Sequence, residues 1–446
     1  MGDRFFLRRG GQQALVGVRC RAACYAFLSA PLRHGRVPAD RFSADRWAAP
    51  CFPQDCRWRS QMRLIQLESV SQLRRAAEAW DRLWQRSDVT LPTARAELVA
   101  QWVEFFADRG AVWFLAVEQD GDLAAALPLV ARRVGGVVSA ADVARNWWSP
   151  SGELLLDPEA DWAVVNRLAE GVVHLPRPLA WLEVVPYRTP SWQKLLGAVA
   201  QSGASLDIHV RGRCATLSLA DDFHAYLATR DGRHRYNLRR NRRRLEQLGT
   251  LRTRVITELA ASEVERELAR AFDIEHRSWK GRRGQSVLAT PGMFGFFCRQ
   301  AETLAGQGSF RLAFLEVAGQ PVAFEMGSCG KGVYHSAKIG YDPVYRRYGP
   351  GQLLREELIR WLHQQPGHVG ADFHAQPVGA AGRWANGSYP LARVVVASGR
   401  LWGAACLAAY RALGPLLRSC LNGAQHRVGG WVCRSSSYKP VLCRMK

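Results

Sequence analysis

Residues 332–365, GVYHSAKIGYDPVYRRYGPGQLLREELIRWLHQQ, constrain the fold more than any other stretch of the chain. Val333–Tyr341 reads as a strand and Asp342-Pro343 as a turn. Leu353, Leu354, Leu358 and Trp361 recur on one side of a helix. A strand therefore feeds a glycine turn that opens a helix. The first N–H groups of such a helix have no carbonyl partners, and they point outward with the positive end of its dipole. Gly349 and Gly351 let the backbone approach a ligand closely. Pro350 stiffens the loop without donating a hydrogen bond, and Arg346 and Arg347 add charge. The arrangement suits a pyrophosphate. It is neither a dinucleotide G-x-G-x-x-G nor a P-loop, which ends in Gly-Lys-Ser/Thr.

At 446 residues the chain has room for two or three domains. Residues 1–61 are rich in Arg, Pro, Gly and Cys and show no sustained period. They read as a disordered extension or a mis-set start. From Met62 the pattern becomes α/β: a short strand, an amphipathic helix (Leu73, Ala76, Ala77, Trp80, Leu83), then a second helix over 92–108. Two strands follow around Asp120-Gly121, a strong hairpin signal. A strand over 181–187 and a helix ending near Gly203 complete this part. The second half repeats some of it. Residues 314–317 (FLEV) resemble 114–117 (FLAV), and both are followed by a glycine turn and a strand of small residues. Two copies of one unit are expected, 62–215 and 216–390, the first having lost its glycine loop. An arginine-crowded helix stands between them (RHRYNLRRNRRRLEQLG). Residues 391–446 hold an apolar helix, 400–418, and a basic tail.

The R-x-x-G-x-G loop in its strand–loop–helix setting resembles the acyl-CoA pyrophosphate loop of GNAT acetyltransferases. Residues 216–390 are similar to the acyltransferase domain of the cellulose-biosynthesis (CelD-like) branch. RYNLRRNRRRLEQLG, HRSWKGRRG, FLEVAGQPVAFEMG, GYDPVYRRYGPGQLL and DFHAQ…GRWANG carry that likeness in the family's order. RNWWSPSGELLLDP extends it to the front half. The basic helix followed by glycine is also similar to the Fem-type aminoacyltransferases. The chain departs from the CelD-like pattern, which has a Tyr-Lys pair a few residues before the late Trp; here that region reads GAAGRW, with Arg383-Trp384. The resemblance implies tandem GNAT-like domains, with mixed central sheets flanked by helices. It implies acyl-CoA, specifically acetyl-CoA, as co-substrate, with Ile339, Arg346, Arg347, Tyr348, Gly349, Gly351 and Gln352 on the cofactor side. The backbone near 337–339 would polarise the thioester carbonyl.

Direct attack of an amine on a thioester needs a held acyl group, a donor at its carbonyl and a proton acceptor, because an amine of pKa about 10 is mostly protonated at neutral pH. Glu325 is the first candidate base, since a charge within PVAFEMG is out of place in a strand; an outward-facing strand residue is the bland alternative. His335 is the second, against a core-satisfied histidine. Asp372 opens the segment ADFHAQ and is placed to orient the acceptor. Trp279 and Trp384 are candidates to wall the acceptor site, against ordinary core packing.

The expected reaction is N-acyl transfer, less readily O-acyl transfer, to a polysaccharide precursor or another amine-bearing metabolite. The rivals are tRNA-dependent aminoacyl transfer and a non-catalytic nucleic-acid or membrane-surface binder on the same scaffold. A net charge of +22, from 61 Lys+Arg against 39 Asp+Glu, suits anionic partners but does not choose among them. Nucleic acid is the less favoured, because a tRNA-fed site needs no CoA cradle. Residues 400–418 suit packing onto protein more than contact with a membrane surface. The 11 cysteines include no C-x-x-C pair, and Cys20/Cys24 and Cys51/Cys56 lack a matching downstream pair. No metal site is expected, and reduced thiols in a cytoplasmic protein are. Arg19 and Arg21 interrupt the opening apolar stretch, and Phe6 is wrong for myristoylation.

Overall fold

A computed structural model describes residues 61–107, 112–134, 138–220, 222–398 and 402–412. Apart from Gln61, the expected leading extension lies outside the described residues. So does the basic tail beyond 412.

The first half contributes β1 (Met62–Leu67), β2 (Val112–Gln119), β3 (Asp122–Val134) and β4 (Val138–Val143), successive antiparallel neighbours. β5 (Leu155–Leu156) pairs with β3, β6 (Leu179–Val185) runs parallel to β4, and β7 (Leu206–Ser218) ends the half. The second half repeats this order. β8 (Leu251–Ile256), β9 (Phe310–Val317), β10 (Gln320–Gly330) and β11 (Val333–Tyr341) are antiparallel, β12 (Gly370–Asp372) is parallel to β11, and β13 (Gly387–Ala397) comes last.

The repeat extends to backbone detail. Each central hairpin turns on two residues of positive φ: Asp120 (53°) and Gly121 (89°), and Ala318 (48°) and Gly319 (78°). That is the geometry whose twist matches paired strands. Each hairpin then carries one unpaired residue three positions after the turn, Ala124 or Val322. This register equates Gln119 with Val317, and hence Phe114 with Leu312. The FLAV/FLEV likeness is therefore two residues out of structural register. A shift of two keeps every side chain on the same sheet face, so the two segments share an inside–outside pattern despite the offset.

The last strands are exchanged. β7 pairs with β12 of the second half, β13 pairs with β6 of the first, and β7 and β13 pair with each other from Thr216–Gly387 to Leu206–Val396. One continuous sheet results, ordered β1-β2-β3-β4-β6-β13-β7-β12-β11-β10-β9-β8. The boundaries read from sequence, 215/216 and 390/391, both fall inside these exchanged strands.

Where helices cover both faces of the sheet, as along β2, β3, β9 and β10, the strands are near-continuous apolar runs, whereas the edge strands β1 and β8 expose Arg63 and Arg252. Along β9, Phe310, Leu312 and Phe314 enter a core shared by both halves, with Trp80, Trp102, Phe272 and Phe297. Ala313, Leu315 and Val317 face a second core, with Leu238 and Leu245 of the arginine helix Gly232–Glu246 and Leu353, Leu354 and Leu358 of the helix Pro350–Gln364. Residues 402–412 are helical. Leu407 is buried against Leu179, Trp181 and Val395, and Arg411 pairs with Asp207 at 3.0 Å.

Candidate functional site

The parallel pair β11/β12 is held together only from Val333–Gly370 to His335–Asp372. Beyond His335 the strands part. Just there β11 carries an extra residue: Met326 faces Lys338, whereas Gly327 faces Ser336, which leaves Ala337 in a bulge. Ala337 and Ile339 are exposed on the freed edge. Backbone groups that a sheet normally consumes are thus left for a ligand.

The chain then turns through Pro343–Tyr348, capped by Asp342, whose carboxylate accepts the Val344 N–H at 2.9 Å. Gly349 (φ 58°) joins this turn to the helix Pro350–Gln364. A side chain at 349 would be strained by that φ and would meet Asn241 at 3.2 Å. At Gly351 the situation differs. A Cβ there would have only Tyr341 Cδ1 for a neighbour, at 3.8 Å. Its absence leaves open space at the helix N-terminus, beside the freed strand edge and the exposed Arg346 and Arg347. That space and the helix dipole fit the pyrophosphate of an acyl-CoA.

Two of the expected cofactor contacts serve the scaffold instead. Tyr348 is buried, its ring between the guanidinium groups of Arg347 (4.8 Å) and Arg244 (5.4 Å). Gln352 donates its N–H to Gly349 O, and its side-chain oxygen accepts from Trp384 Nε1 at 2.9 Å. The arginine helix lies against this loop: Arg242 pairs with Glu356 at 2.9 Å and with Glu357, while Arg233, Arg239, Arg240 and Arg243 stay exposed.

On the other side of the bulge lies a narrow crevice between the halves, with free space of about 20 Å³. Leu91, Thr93 and Trp148 of the first half face Phe297, Met326 and Ala337 of the second across it, and His335 and His374 form its polar end. Ala337 therefore touches both the freed strand edge and the crevice. Trp148 comes from the loop after β4. In the second half the corresponding stretch is the glycine loop; in the first it bends back at the bridge Arg145–Pro150 and walls the crevice.

The polar end is a hydrogen-bonded chain. His335 Nε2 meets Thr90 Oγ1 at 3.0 Å, and its Nδ1 meets His374 Nε2 at 3.1 Å. Burial, with the His374 ring adding to it and Asp372 opposing, pushes His335 down to about 3. Asp372 accepts from Tyr389 OH (2.7 Å), the Cys214 thiol (3.1 Å) and the His374 N–H (2.8 Å). Burial alone would raise its carboxyl; the two imidazoles and these hydrogen bonds outweigh that and hold it below its ordinary value. His374 itself, in the left-handed region (φ 45°), is the ring with partial access to solvent.

Three expectations change. Glu325 is not a free base: it is buried, Arg355 grips it through two bonds (3.0 and 2.8 Å), and Ser336 donates to it at 2.8 Å. Both of its oxygens are thus engaged by Arg355 and Ser336 beneath the sheet, and neither is left for an incoming amine. Trp384 is fully buried behind the glycine loop, edge-on to His234, and cannot wall an acceptor site. Trp279 is half-exposed under Arg283 and does not line the crevice. The aromatic wall is Trp148, already present in RNWWSP, and the histidine facing the crevice beside His335 is His374, two residues beyond Asp372. Lys338 was also missed. It is buried with its ammonium 4.4 Å from the Trp148 ring and 5.0 Å from Phe297. Burial pushes it down to about 7, with Glu275 opposing and Lys280 adding.

The first half closes the equivalent opening. Register equates Asp142 of β4 with His335 of β11. Asp142 Oδ1 accepts the N–H groups of Val143 and Glu183, both at 2.8 Å, and so ties the two parting strands together.

Residues 232–377 match the family model for the acetyltransferase (GNAT) domain. No curated protein matched the chain in sequence. Similar solved structures include a tandem GNAT protein from the clavulanic acid biosynthesis pathway (14% identity, 76% of this chain and 98% of that one, TM-score 0.41). FemX is another (10% identity, 72% and 95%, TM-score 0.48). A third is the C-terminal DUF2156 domain of a putative lysylphosphatidylglycerol synthetase from Agrobacterium fabrum (14% identity, 76% and 97%, TM-score 0.46). With the domain match, residues 232–377 form a GNAT acetyltransferase domain, a class that draws on an acyl-CoA in general, and the chain is an acyltransferase. Among the described residues no helix is long and apolar enough to cross a membrane.

Proposed function

We propose that this chain transfers an acetyl group directly from CoA to a primary amine, and that the amine belongs to a glycan precursor. The observation that carries the reading is Ala337, where an opened strand edge leading to a glycine-started helix meets a crevice ending in two histidines. On this reading residues 337–339 offer backbone N–H to the thioester carbonyl. Gly349, Gly351, Arg346 and Arg347 hold the pyrophosphate. The amine enters through the crevice, whose lining includes no Asp or Glu to hold an ammonium. Its nitrogen bonds to the acyl carbon, the C–S bond breaks, and the CoA thiolate leaves. His374 takes the amine proton, with Asp372 and His335 positioning its ring. The glycan acceptor rests on the resemblance to the CelD-like branch.

A second reading, aminoacyl transfer from tRNA, draws on the exposed Arg233, Arg239, Arg240 and Arg243 beside the loop. The open space at Gly351 favours the first, because a tRNA-fed site has no use for a CoA cradle.

Calorimetric titration with acetyl-CoA tests the reading. Saturable binding is expected in the native protein and is expected to vanish in Gly351→Trp, whose indole fills the cradle without striking the core. Absence of binding to folded native protein at millimolar acetyl-CoA would sink it and favour the tRNA-dependent reading. Thiol release in the presence of amino sugars then tests the acceptor.

A further inference from the structure

We propose that Cys214 Sγ, Asp372 Oδ1 and His374 Nδ1 form a binding site for a soft divalent cation, Zn²⁺ above all, and that its occupancy switches acyl transfer off. The three donors come from β7, β12 and the residues just after β12, and they lie within 4.8 Å of one another. Sγ and Oδ1 are 3.1 Å apart, and Nδ1 and Oδ1 are 3.8 Å apart. A tetrahedral zinc with bonds of about 2.3 Å to sulfur and about 2.0 Å to nitrogen and oxygen needs edges of about 3.5 and about 3.3 Å. These two edges need shifts of roughly half an ångström, and the third, from Sγ to the imidazole nitrogen, lies within 4.8 Å and closes by up to about 1.3 Å as the partly exposed His374 ring turns inward.

Second, independent contacts aim the donors. Tyr389 donates to Asp372 Oδ2, while Oδ1, which also accepts the His374 backbone N–H at 2.8 Å, faces Cys214 Sγ and is the ligand oxygen through its second lone pair. His374 Nε2 faces His335 Nδ1, and His335 Nε2 faces Thr90 Oγ1. If each Nε2 carries the hydrogen, both bonds are made and the His374 Nδ1 lone pair is left for the metal. Outer partners that fix the ring and tautomer of a ligating histidine are what metal sites require. Binding forms a metal–sulfur bond and releases the Cys214 thiol proton to solvent. The thiolate and carboxylate then neutralise the ion, which a buried site needs. A sulfur donor selects Zn²⁺ or Co²⁺ over Mg²⁺ or Ca²⁺. The switching half of the proposal rests on His374 as the proton acceptor of the reading above, because a ligated nitrogen cannot serve as one; the binding half does not.

The full-length protein, stripped with chelator, would be titrated with Co²⁺ and followed by absorption. One equivalent is expected to give tetrahedral visible bands and a thiolate charge-transfer band, both displaced by Zn²⁺. Cys214→Ala is expected to lose the charge-transfer band and weaken binding at least a hundredfold; Cys329→Ala, outside the cluster, is expected to keep both. His374→Ala, at a partly exposed ring, gives the same test should Cys214→Ala fail to fold. Bands that persist in the Cys214 or His374 variant overturn the site. One equivalent of Zn²⁺ should lower amine acetylation at least tenfold, reversibly with chelator, while acetyl-CoA affinity stays unchanged. Full activity with zinc bound overturns the switch. A metal-free protein that binds Co²⁺ through Cys214 yet acetylates no amine upholds the site and counts instead against the acyl-transfer reading.

Discussion

At the scale of residues, the charges buried near β11 divide by whether they have partners. Glu325 and Arg355 neutralise each other under the sheet. Removing one partner leaves an uncompensated buried charge, so Glu325→Gln is expected to cost about 3–5 kcal/mol in denaturant unfolding, and Glu325→Gln with Arg355→Met much less. Loss of acetyl transfer with no loss of stability in Glu325→Gln would restore its role as base. Lys338 has aromatic faces rather than a carboxylate around it, with Glu275 from the helix Ala261–Arg277 and Lys280 from Trp279–Arg282 as the nearby charges. Its folded value, about 7, lies below its ordinary 10.5, so between those limits the unfolded chain binds more protons. Stability should therefore rise as pH rises from about 7 to about 10.5. Lys338→Met should be more stable than native at pH 7 and lose that slope. A slope unchanged in the variant would place the titration elsewhere. Sequence pattern could flag Glu325 as an odd charge in a strand. Whether it is poised or paired depends on Arg355, thirty residues away and a helix apart.

At the scale of elements, the two halves use the same pair of parting strands in opposite ways. In the second, the gap between β11 and β12 leads to a glycine-started helix; in the first, Asp142 bridges β4 and β6. One acetyl-CoA per chain is expected by calorimetry, and Asp142→Ala should not add a second site, because no glycine loop follows β4. Two equivalents in the native protein would refute the asymmetry. Burial, opposed by Arg132, raises Asp142 to about 6 from its ordinary 3.8. A raised folded value means that the folded state holds the extra proton, so this contribution is full below about 3.8 and is lost as pH rises to about 6. Asp142→Asn should flatten the stability profile over that window, as thermal melts would show. The loop–helix cradle was legible because its glycines, prolines and arginines are consecutive. The plug was not, since an aspartate in the strand SAADV has no local signature of what it bonds.

At the scale of the whole molecule, strand exchange makes the halves interdependent. β7 and β13 sit in the middle of the sheet, β7 paired with β12 of the second half and β13 with β6 of the first. Cutting the chain anywhere between them exposes long, unpaired edges. Residues 61–218 and 219–412 produced separately are expected to be insoluble or unfolded, and the intact protein should melt in one transition with calorimetric and van't Hoff enthalpies in agreement. Two resolved transitions would show that the exchange does not couple the halves.

The sequence by itself determined the α/β class, the hairpins at Asp120-Gly121 and Ala318-Gly319, the arginine helix and the glycine loop that opens the helix Pro350–Gln364. Each is written in neighbouring residues as a period, a turn or a cap. Only the tertiary structure decided the register of the repeat, the exchange of its last strands and the closing of the first half's gap. It alone decided the fates of Glu325, Trp384 and Gln352, and the meeting of Cys214 with Asp372 and His374 across some 160 residues of chain. Such contacts depend on which strand lies beside which. In a sheet with both faces buried, the apolar pattern is nearly the same for every strand and does not specify its neighbour.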